Sequence, residues 1–348
     1  MQSKSQKLEK LLSDAQNVVI PYSEEFSLSH KEFAQRMWPS KVRRRNEEYI
    51  RWKFRGEKNG PVDGFLLAVV DGKVIGQLGL IPVQLRIGNS IFKAQWACDL
   101  MVDTTSRQKG IGSLLLAAGM SRDIVTLGSD PSRLADIAMT RLGFKPLPGP
   151  IKMVLPLKLA PISHWKFDGR FRTLVSITTT ILQPIWSLRL ELINHKRSGK
   201  VLHVEYADVF PLIKKKQVSL SHPHILHDMN FLEWRFGQKN SQMECVIAPE
   251  GGYAIYEASP KRLIIYDWNS DYSGDFHCLF RHIFDSALQV NAELISVLAN
   301  TQKEKHFLSR FGFLAMRTPT KVIYYPQISE FAQSNYFHYC LYDSDGNL

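Results

Sequence analysis

Apolar and polar residues alternate in two stretches, 64–70 and 74–82, on either side of Asp71-Gly72. Alternation with a period of two is typical of strands, and an Asp-Gly pair between two such runs is a strong hairpin signal. Residues 92–102 continue the alternation, so this part of the chain predicts an antiparallel meander. A polar loop and an apolar run over 110–120 then predict a helix.

The same periodicities predict shorter elements around this meander. They are a strand at 17–23, helices at 30–38 and 46–54, a further strand at 124–127 and a helix at 131–142. Gly143 follows the last of these helices, at the position of a C-terminal cap.

Two motifs recur in the same order further along the chain. YIRWKF at 49–54 has a counterpart in FLEWRF at 231–236, and RLGF at 141–144 has one in RFGF at 310–313. We therefore interpret the two halves as diverged copies of one unit. In the second copy we expect strands near 201–207, 244–248, 253–257, 262–268 and 294–298, a hairpin turn at Gly251-Gly252, and helices at 275–289 and 302–311.

Strands and helices in this order predict the α/β (α+β) class, and 348 residues are enough for two domains. The predicted boundaries are 17–157 and 201–325 for the two domains, 158–200 for a partly helical linker, and 326–348 for a C-terminal tail that we expect to be loose.

The segment from Asp99 to Ser113 carries the clearest chemistry. It leads from a predicted strand into a helix whose first residues include Gly110 and Gly112. The unpaired amides at a helix N-terminus favour an anion, and glycine lets that anion approach the backbone closely. We therefore predict a phosphate or pyrophosphate site. Its spacing fits neither the dinucleotide-binding nor the nucleoside-triphosphate glycine motif.

The charge of the chain agrees with an anionic partner. Lys and Arg number 44 against 33 Asp and Glu, which gives a net charge of +11. Four separated cysteines without a CxxC pair fit a reducing compartment, and the polar N-terminal segment lacks the apolar core of a secretory signal, so we expect a cytoplasmic protein. The weakly charged stretch 173–188 is too short and too interrupted for a membrane span.

The run Arg107-Gln-Lys-Gly110-Ile-Gly112 resembles the R/Q-x-x-G-x-G/A signature of the GNAT superfamily of acyl-CoA-dependent N-acyltransferases. The later Leu-Gly-Phe stretch of that family is matched at 142–144. The tandem arrangement is similar to two-domain GNAT proteins encoded among surface-polysaccharide genes. The resemblance implies two GNAT-like domains, each with a mixed, mostly antiparallel sheet and flanking helices, and a splayed pair of parallel strands in the first.

The resemblance also implies a site. Acetyl-CoA or another acyl-CoA, as co-substrate, would lie between strands 92–102 and 124–127. Its pantetheine arm would pair with Leu100, Met101 and Val102, and its pyrophosphate would bind Arg107, Gln108, Lys109, Gly110, Ile111, Gly112 and Ser113. The second copy has no such signature and carries Asp267, Asp271 and Asp275 instead, so we expect it to bind no CoA.

Aminolysis of a thioester needs a neutral amine, and therefore a base. Asp99 is the candidate base, with an ion pair to a nearby Lys or Arg as the structural alternative. The family places its oxyanion donor on a backbone amide of the preceding strand, here near Met101 or Val102. Many relatives carry a tyrosine acid where this chain has Met139. Either the thiolate leaves unaided, or the acid comes from the second copy, with Tyr266, Tyr256 and His306 as candidates.

We therefore predict an N-acyltransferase that acts on a small primary amine, with an amino sugar as the acceptor that the resemblance implies. Two alternatives stay open: an acyl carrier protein as donor, and a non-catalytic protein that binds CoA or lies on an anionic membrane through 173–190. We predict neither a nucleic-acid partner nor a metal site, and interpret His222, His224 and His227 as a helix entry. The sequence does not specify the oligomeric state.

Overall fold

The computed structural model describes residues 11, 13–38, 46–58, 60–107, 109–122, 124–159, 181–192, 200–237, 242–269, 273–326, 329–332 and 334–344. The strands are β1 (Val19–Tyr22), β2 (Val62–Val70), β3 (Lys73–Ile87), β4 (Ser90–Val102), β5 (Val125–Ser129), β6 (Lys145–Pro156), β7 (Leu202–Val204), β8 (His224–Ile225), β9 (Met243–Ile247), β10 (Tyr253–Ala258), β11 (Leu263–Asn269), β12 (Leu294–Ala299) and β13 (Leu314–Tyr325).

The helices are α1 (Ser27–Met37), α2 (Glu47–Lys53), α3 (Ile111–Met120), α4 (Arg133–Leu142), α5 (Tyr206–Ser219), α6 (Met229–Phe236), α7 (Ser273–Gln289), α8 (Gln302–Arg310) and α9 (Ser329–Ala332). Residues 181–192 are also helical, and we call them the linker helix. Side-chain caps begin several of these helices, as at Ser132 and Thr301, whose hydroxyls accept from the amides three residues on.

All strands in the described residues belong to one mixed sheet with the order β1-β2-β3-β4-β5-β13-β6-β12-β11-β10-β9-β7, and β8 pairs with β3. The chain is thus an α/β protein with a GNAT-like fold, as predicted from the sequence. The predicted meander corresponds to β2, β3 and β4, with Asp71-Gly72 in the turn between the first two strands. The helix over 110–120 is α3, one residue shorter than predicted.

The order of elements in the first half recurs in the second. Two antiparallel strand pairings lead into a helix, a parallel strand, a second helix and a last strand, as β2-β3-β4-α3-β5-α4-β6 and as β9-β10-β11-α7-β12-α8-β13. Gly143 and Gly312 occupy equivalent places after α4 and α8, and both have left-handed backbones with φ of 102° and 89°. A side chain at either position would be strained, which explains why both copies of the motif keep glycine there.

The last strands of the two halves are exchanged. β13 of the second half lies between β5 and β6 of the first half and pairs antiparallel with both. β6 in turn pairs antiparallel with β12 of the second half. Neither half therefore completes its sheet from its own residues, and the sheet runs through the whole chain without an internal edge. Neither strand was predicted, because β6 carries four prolines and β13 is interrupted at Pro319.

The two motifs that relate the halves also meet in space. Trp52 Nε1 donates to the carbonyl of Trp234, and Trp234 Nε1 donates to the carbonyl of Trp52, each at 2.8 Å. The indole centroids lie 5.9 Å apart. This reciprocal exchange relates α2 and α6 by a local twofold arrangement, so the tryptophans are anchors between the halves.

Two expectations for the second half are wrong. The strand predicted at 201–207 ends at Val204, and α5, which was not predicted, begins two residues later through a capping box of Glu205 and Asp208. Residues 334–344 are not part of a loose tail. Phe337, Tyr342 and Asp343 are almost fully buried, and the buried segment 336–344, here called the C-terminal strap, packs into the largest apolar core of the protein.

Within the described residues no helix has the length and apolar character needed to cross a bilayer. The linker helix covers the second part of the stretch that we had excluded as a membrane span, and residues 173–180 lie outside the described residues.

Candidate functional site

Residues 103–112, where we predicted an anion site and which we call the anion loop, lie at the N-terminus of α3. Gly110 is the N-terminal cap with φ 79° and ψ 1°, a left-handed conformation that favours glycine. The first helical hydrogen bonds run from the amides of Ser113 and Leu114 to the Gly110 carbonyl, so the amides before them have no partner within the helix. The loop therefore presents donors together with the positive end of the helix dipole.

The space in front of these amides is open. A Cβ built on Gly110 would meet no heavy atom within 4 Å, and one built on Gly112 would meet only the Val102 side chain at 3.7 Å. Arg107 and Lys109 are exposed at the rim, and Arg107 Nε lies 3.4 Å from the Val102 carbonyl. Gln108 lies outside the described residues. This combination can hold a phosphate group against the backbone with two cations beside it.

The loop is fixed by Asp103, which ends β4. Its carboxylate accepts from the Thr105 amide at 3.2 Å and pairs with Arg36 of α1 at 3.1 Å. The Thr105 amide and the Arg36 guanidinium together hold the pKa of Asp103 below its usual value. Asp103 therefore caps the short turn that follows β4.

A cleft opens between β4 and β5, next to the loop. The two strands pair in parallel only where Ala94–Trp96 face Val125–Leu127. Beyond these residues β4 continues along β3 to Val102, whereas β5 continues along β13 to Ser129, so the strands diverge. This is the splayed pair that we predicted.

The diverging end of β4 can donate hydrogen bonds into the cleft. The amide of Asp103 donates to the Ile75 carbonyl of β3 at 2.8 Å. Successive amides of a strand point to opposite sides, so the amides of Leu100 and Val102 face the cleft, while the amide of Met101 faces β3. Of the two positions considered for the oxyanion donor, Val102 has the amide on the required side.

Asp99 lies in a β-bulge at the start of this diverging stretch. Its φ is 51°, and the pairing register shifts between Gln77 and Gly79 opposite it. Its carboxylate receives a hydrogen bond at 2.8 Å from Lys53 Nζ, and the two side chains are only 9% and 2% exposed. The structure thus contains the ion pair that we had weighed as the alternative to a catalytic base. Whether Asp99 also acts as a base stays a prediction.

Met139 occupies the place where many relatives carry a tyrosine. Its side chain is buried in the core beneath α3 and α4, and its Cε lies 3.2 Å from the position of a Cβ on Gly128. It cannot donate a proton, and it packs against β5 at the base of the cleft.

The three candidate acids of the second half are not grouped around the cleft. Tyr266 is buried and donates to Glu257 at 2.8 Å, and burial raises its pKa far above the ordinary value. Tyr256 donates to Glu244 at 2.9 Å in the other core of the second half. His306 is exposed on α8. A raised pKa makes Tyr266 a weaker acid, which argues against this role without testing it.

The counterpart cleft of the second half is filled. β11 and β12 pair in parallel only at Leu263 and Ile264 and then diverge. Tyr339 of the C-terminal strap exchanges two hydrogen bonds with the side chain of Asn300, and Leu341 donates to the Tyr266 carbonyl at 3.2 Å. The cavity that remains between them measures only about 10 Å³.

The acidic residues of this counterpart have structural partners. Asp267 is fully buried and accepts from Lys216 at 2.5 Å and from Tyr253 at 2.7 Å. Asp275 accepts from the amides of Glu250 and Gly252 and thereby closes the β9–β10 turn. Asp271 lies outside the described residues.

Two of the three histidines at 222–227 belong to the core, and His222 is half-buried. His224 is buried with a pKa lowered to about 4 by burial. His227 binds Asp343 of the strap at 2.5 Å and Tyr342 at 3.2 Å. These contacts agree with our interpretation of the segment as structural.

Two residues that contact Ser344 of the C-terminal strap were not predicted. Ser129, at the end of β5, lies 3.1 Å from the hydroxyl of Ser344 in the strap. Arg235 of α6 is fully buried; one nitrogen donates to the Ser344 carbonyl, while Nε and Nη1 have no partner in the described part of the chain. Burial lowers its pKa. The sequence does mark Arg235, because it is the basic residue of the second Trp-basic-Phe motif and corresponds to Lys53 of the first.

Comparison with known proteins agrees with this geometry. Residues 27–122, from α1 to the end of α3, match the sequence model of the acetyltransferase (GNAT) domain. No curated protein sequence matches the chain significantly.

Solved structures resemble the chain over most of its length. A GCN5-related N-acetyltransferase from Anabaena variabilis has a TM-score of 0.57 at 12% identity, over 88% of this chain and 71% of that one. A putative acetyltransferase from Pyrococcus horikoshii has a TM-score of 0.53 at 14% identity, over 90% of both chains. The N-myristoyltransferase of Saccharomyces cerevisiae, solved with bound myristoyl-CoA and inhibitors, has a TM-score of 0.54 at 12% identity, over 80% and 71%.

These identities are low, so the likeness concerns the fold. The chain contains a region that matches the GNAT acetyltransferase domain, within a fold that GNAT acetyltransferases share.

Proposed function

We propose that the protein is an acyl-CoA-dependent N-acyltransferase whose cofactor-binding half comprises residues 17–157. The observation that carries this proposal is the pairing of an open anion loop at the N-terminus of α3 with a cleft between β4 and β5 directly beside it. The match to the GNAT domain includes this loop and β4. The four free, buried cysteines support a reducing compartment, for which we propose the cytoplasm.

In this proposal the role of each residue follows from its position. The amides of Gly110, Ile111 and Gly112 hold the pyrophosphate, Arg107 and Lys109 screen its charge, and β4 from Leu100 to Val102 pairs with the pantetheine arm. The thioester carbonyl then lies at the far end of the arm, against an amide of β4 that faces the cleft. The amine attacks the thioester carbon, this amide stabilises the oxyanion, and collapse breaks the C–S bond and releases the CoA thiolate. The proton lost by the amine passes to a base, for which Asp99 is the candidate.

The second half, residues 201–325, has a supporting role in this proposal. We infer that it is a second GNAT-like unit that binds no CoA, because the C-terminal strap fills its cleft and its acidic residues are engaged in structural contacts. Its contribution is β13, which completes the sheet of the first half. An amino sugar is our proposed acceptor, on the resemblance to polysaccharide-linked relatives alone.

The decisive experiment measures thermal unfolding with and without acetyl-CoA and longer acyl-CoAs. A ligand at 100 times its Kd adds about 2.7 kcal/mol to the free energy of unfolding. We expect the wild type to be stabilised and Gly110→Trp to lose that stabilisation, because the indole fills the open space before the amides. Gly88→Trp is the matched control, since Gly88 also has a left-handed backbone and no heavy atom near its Cβ, but lies in the β3–β4 turn.

Equal stabilisation of wild type and Gly110→Trp would contradict the assignment of the loop. No stabilisation by any acyl-CoA would contradict the CoA donor. Acyl transfer from acyl carrier protein, measured with the same variants and an amine acceptor, would then identify the carrier protein as the donor.

A second candidate function is attachment to an anionic membrane, and the linker helix favours it. Four aliphatic side chains spaced as one helical stripe are exposed, namely Ile181, Ile185, Leu188 and Leu192, at 57–68%. The opposite side of the helix is docked: Trp186 Nε1 donates to the Pro156 carbonyl at 2.8 Å, and Leu190 is buried. The stripe therefore faces away from the protein.

The size and charge of this surface fit a membrane better than a second protein copy. Four such side chains expose roughly 400 Å², about half of what each partner of a stable protein interface buries. Residues 158–200 contain eight Lys or Arg and two Asp or Glu, so the sequence around the stripe attracts anionic lipids. Aliphatic residues that enter the interface beside basic residues are typical of peripheral membrane helices.

Co-sedimentation with vesicles tests this second candidate. We expect binding to phosphatidylcholine vesicles that contain phosphatidylglycerol, and at least tenfold weaker binding of the double variant Ile185→Asp, Leu188→Asp. Leu28→Asp is the control, because Leu28 is 71% exposed on α1, outside the stripe. Unchanged binding of the double variant would contradict the role of the stripe, and a concentration-dependent dimer that the double variant abolishes would assign it to a second copy.

A further inference from the structure

Two histidines and a glutamate meet at the outer edge of the second half, far apart in sequence. His203 is on the short edge strand β7, Glu244 on the neighbouring strand β9, and His282 on α7, which packs over this edge. One nitrogen of each imidazole and a carboxylate oxygen all lie within 4.8 Å of one another. No short motif connects these residues, so the cluster could not be predicted from the sequence.

The geometry is close to what a transition metal requires. His203 Nδ1 lies 3.5 Å from Glu244 Oε2, and the two imidazole centroids are 4.9 Å apart. Bonds of about 2.0–2.2 Å from nitrogen and oxygen to a tetrahedral Zn²⁺ place the ligand atoms roughly 3.4 Å apart. His203 and Glu244 are 58% and 44% exposed, so their side chains are free to close the remaining distance by rotation.

The surroundings hold the third ligand and the carboxylate in place. The hydroxyl of Tyr256, a fully buried side chain, lies 2.9 Å from both Glu244 Oε2 and His282 Nε2. A buried hydroxyl that touches two ligands is the kind of outer contact that orients metal ligands. A cavity of about 350 Å³ beside the cluster is lined by His203, Glu205, Tyr206 and Glu244, among others, and gives a metal ion access from solvent.

We infer that His203, Glu244 and His282 form a site for a divalent transition metal of the Zn²⁺ class. Two imidazoles and one carboxylate suit Zn²⁺, Co²⁺, Ni²⁺ or Cu²⁺, whereas Mg²⁺ and Ca²⁺ prefer oxygen ligands alone. The Glu244 carboxylate offsets half of the charge of the ion. The fourth position faces the cavity and takes a water molecule.

The bound metal would fasten the edge of the sheet. β7 pairs with β9 through only three residues and is the last strand of the sheet. A metal bound by the cluster joins this strand to β9 and to α7. The site is therefore independent of the acyl-CoA site and concerns the stability of the second half.

The test uses the full chain without an affinity tag, stripped of metal by a chelator and titrated with Zn²⁺ by calorimetry. We expect one Zn²⁺ per chain with a micromolar Kd, and at least tenfold weaker binding for His203→Ala and for Glu244→Gln. His306→Ala is the matched control, because His306 is exposed on α8 outside the cluster. Mg²⁺ is expected not to bind at these concentrations.

Two further measurements identify the site directly. Co²⁺ in place of Zn²⁺ is expected to give the visible absorption of a four-coordinate ion in the wild type and to lose it in His203→Ala. Zn²⁺ at ten times its Kd should slow hydrogen exchange of the β7 amides about tenfold. Absence of Zn²⁺ binding, or equal binding by wild type and His203→Ala, would overturn the inference.

Discussion

The buried ion pair between Lys53 and Asp99 determines which substitutions in the bulge beside the cleft destabilise the protein. Both side chains are almost completely buried, and the two charges lie in direct contact. Removing one partner of a buried pair leaves an unpaired charge in the interior, whereas replacing both by apolar residues is often tolerated.

We therefore expect Lys53→Met to lower the free energy of unfolding by about 3–5 kcal/mol. The double variant Lys53→Met, Asp99→Asn should recover most of this loss in urea unfolding, because Asn carries no charge and tolerates the left-handed backbone at this position. Arg36→Met is the control, since the Arg36–Asp103 pair is half exposed on the Arg36 side and should contribute less than about 1 kcal/mol. A double variant as unstable as Lys53→Met would show that the Asp99 carboxylate has a structural role beyond the pair.

The open loop before α3 was predictable at the level of residues, because only Gly110 and Gly112 had to be recognised. That this loop binds an anion stays a prediction. Asp99 shows where such prediction ends. The sequence placed a carboxylate at the start of the diverging strand, but its partner Lys53 is 46 residues away, and only the packing of α2 brings the two together. His203, Glu244 and His282 are likewise far apart in sequence, and only the packing of β7, β9 and α7 brings them together.

At the scale of elements, α2 and α6 are joined by the reciprocal hydrogen bonds of Trp52 and Trp234. Each indole supplies a donor to the backbone of the other helix, so the loss of either one leaves a carbonyl without its partner. The two helices belong to different halves, and their contact thus contributes to the cohesion of the whole sheet.

We expect Trp52→Phe and Trp234→Phe each to cost about 1–2 kcal/mol in the free energy of unfolding, and the double variant to cost less than their sum. Urea unfolding of the four proteins gives the coupling. Trp186→Phe provides a comparison, because Trp186 also donates to a backbone carbonyl but lies in the linker helix. Its effect should add to that of Trp52→Phe, and strict additivity of Trp52→Phe and Trp234→Phe would contradict the reciprocal pair.

Elements with a clear periodicity were predicted within a few residues, as for α3, α7 and the strands of both meanders. The exchanged strands β6 and β13 were not, because prolines break their pattern and because their partners come from the other half of the chain. The helix α5 was not predicted, because Pro211 interrupts its pattern.

At the scale of the whole molecule, a buried polar network connects the C-terminal strap to the second half. His224 and His338 lie in it without charge, because burial lowers the pKa of His224 to about 4 and holds the pKa of His338 well below its ordinary value. Lys216, Asp267, His227 and Cys340 face these imidazoles. Unfolding exposes both histidines to water, where they take up protons near pH 6.5.

This difference gives the stability a defined pH dependence. Both folded pKa values are lowered, so the unfolded state binds more protons below pH 6.5, and the contribution of the neutral histidines is complete above pH 6.5 and lost as the pH falls toward 4. The free energy of unfolding should decrease by up to about 1.4 kcal/mol per pH unit for each histidine. The lowered pKa of Asp267 adds a further loss below pH 4.

The variant His224→Met tests this prediction. It removes an imidazole whose Nε2 has no hydrogen-bond partner in the described residues, so it should fold, and it should flatten the decrease between pH 7.5 and 5 in urea unfolding. His306→Met on the surface should keep the slope of the wild type. A slope in His224→Met equal to that of the wild type would show that other groups cause the decrease.

The exchange of β6 and β13 also has a consequence for biosynthesis. β5 and β6 are translated long before β13, and until β13 has left the ribosome they lack the strand that separates and pairs them. Until then β5 and β6 each have one unpaired edge, and the sheet of the first half cannot be completed before the last quarter of the chain is made. A stalled or truncated translation product would expose these edges. We expect chaperones to be needed to keep such nascent chains from pairing with one another.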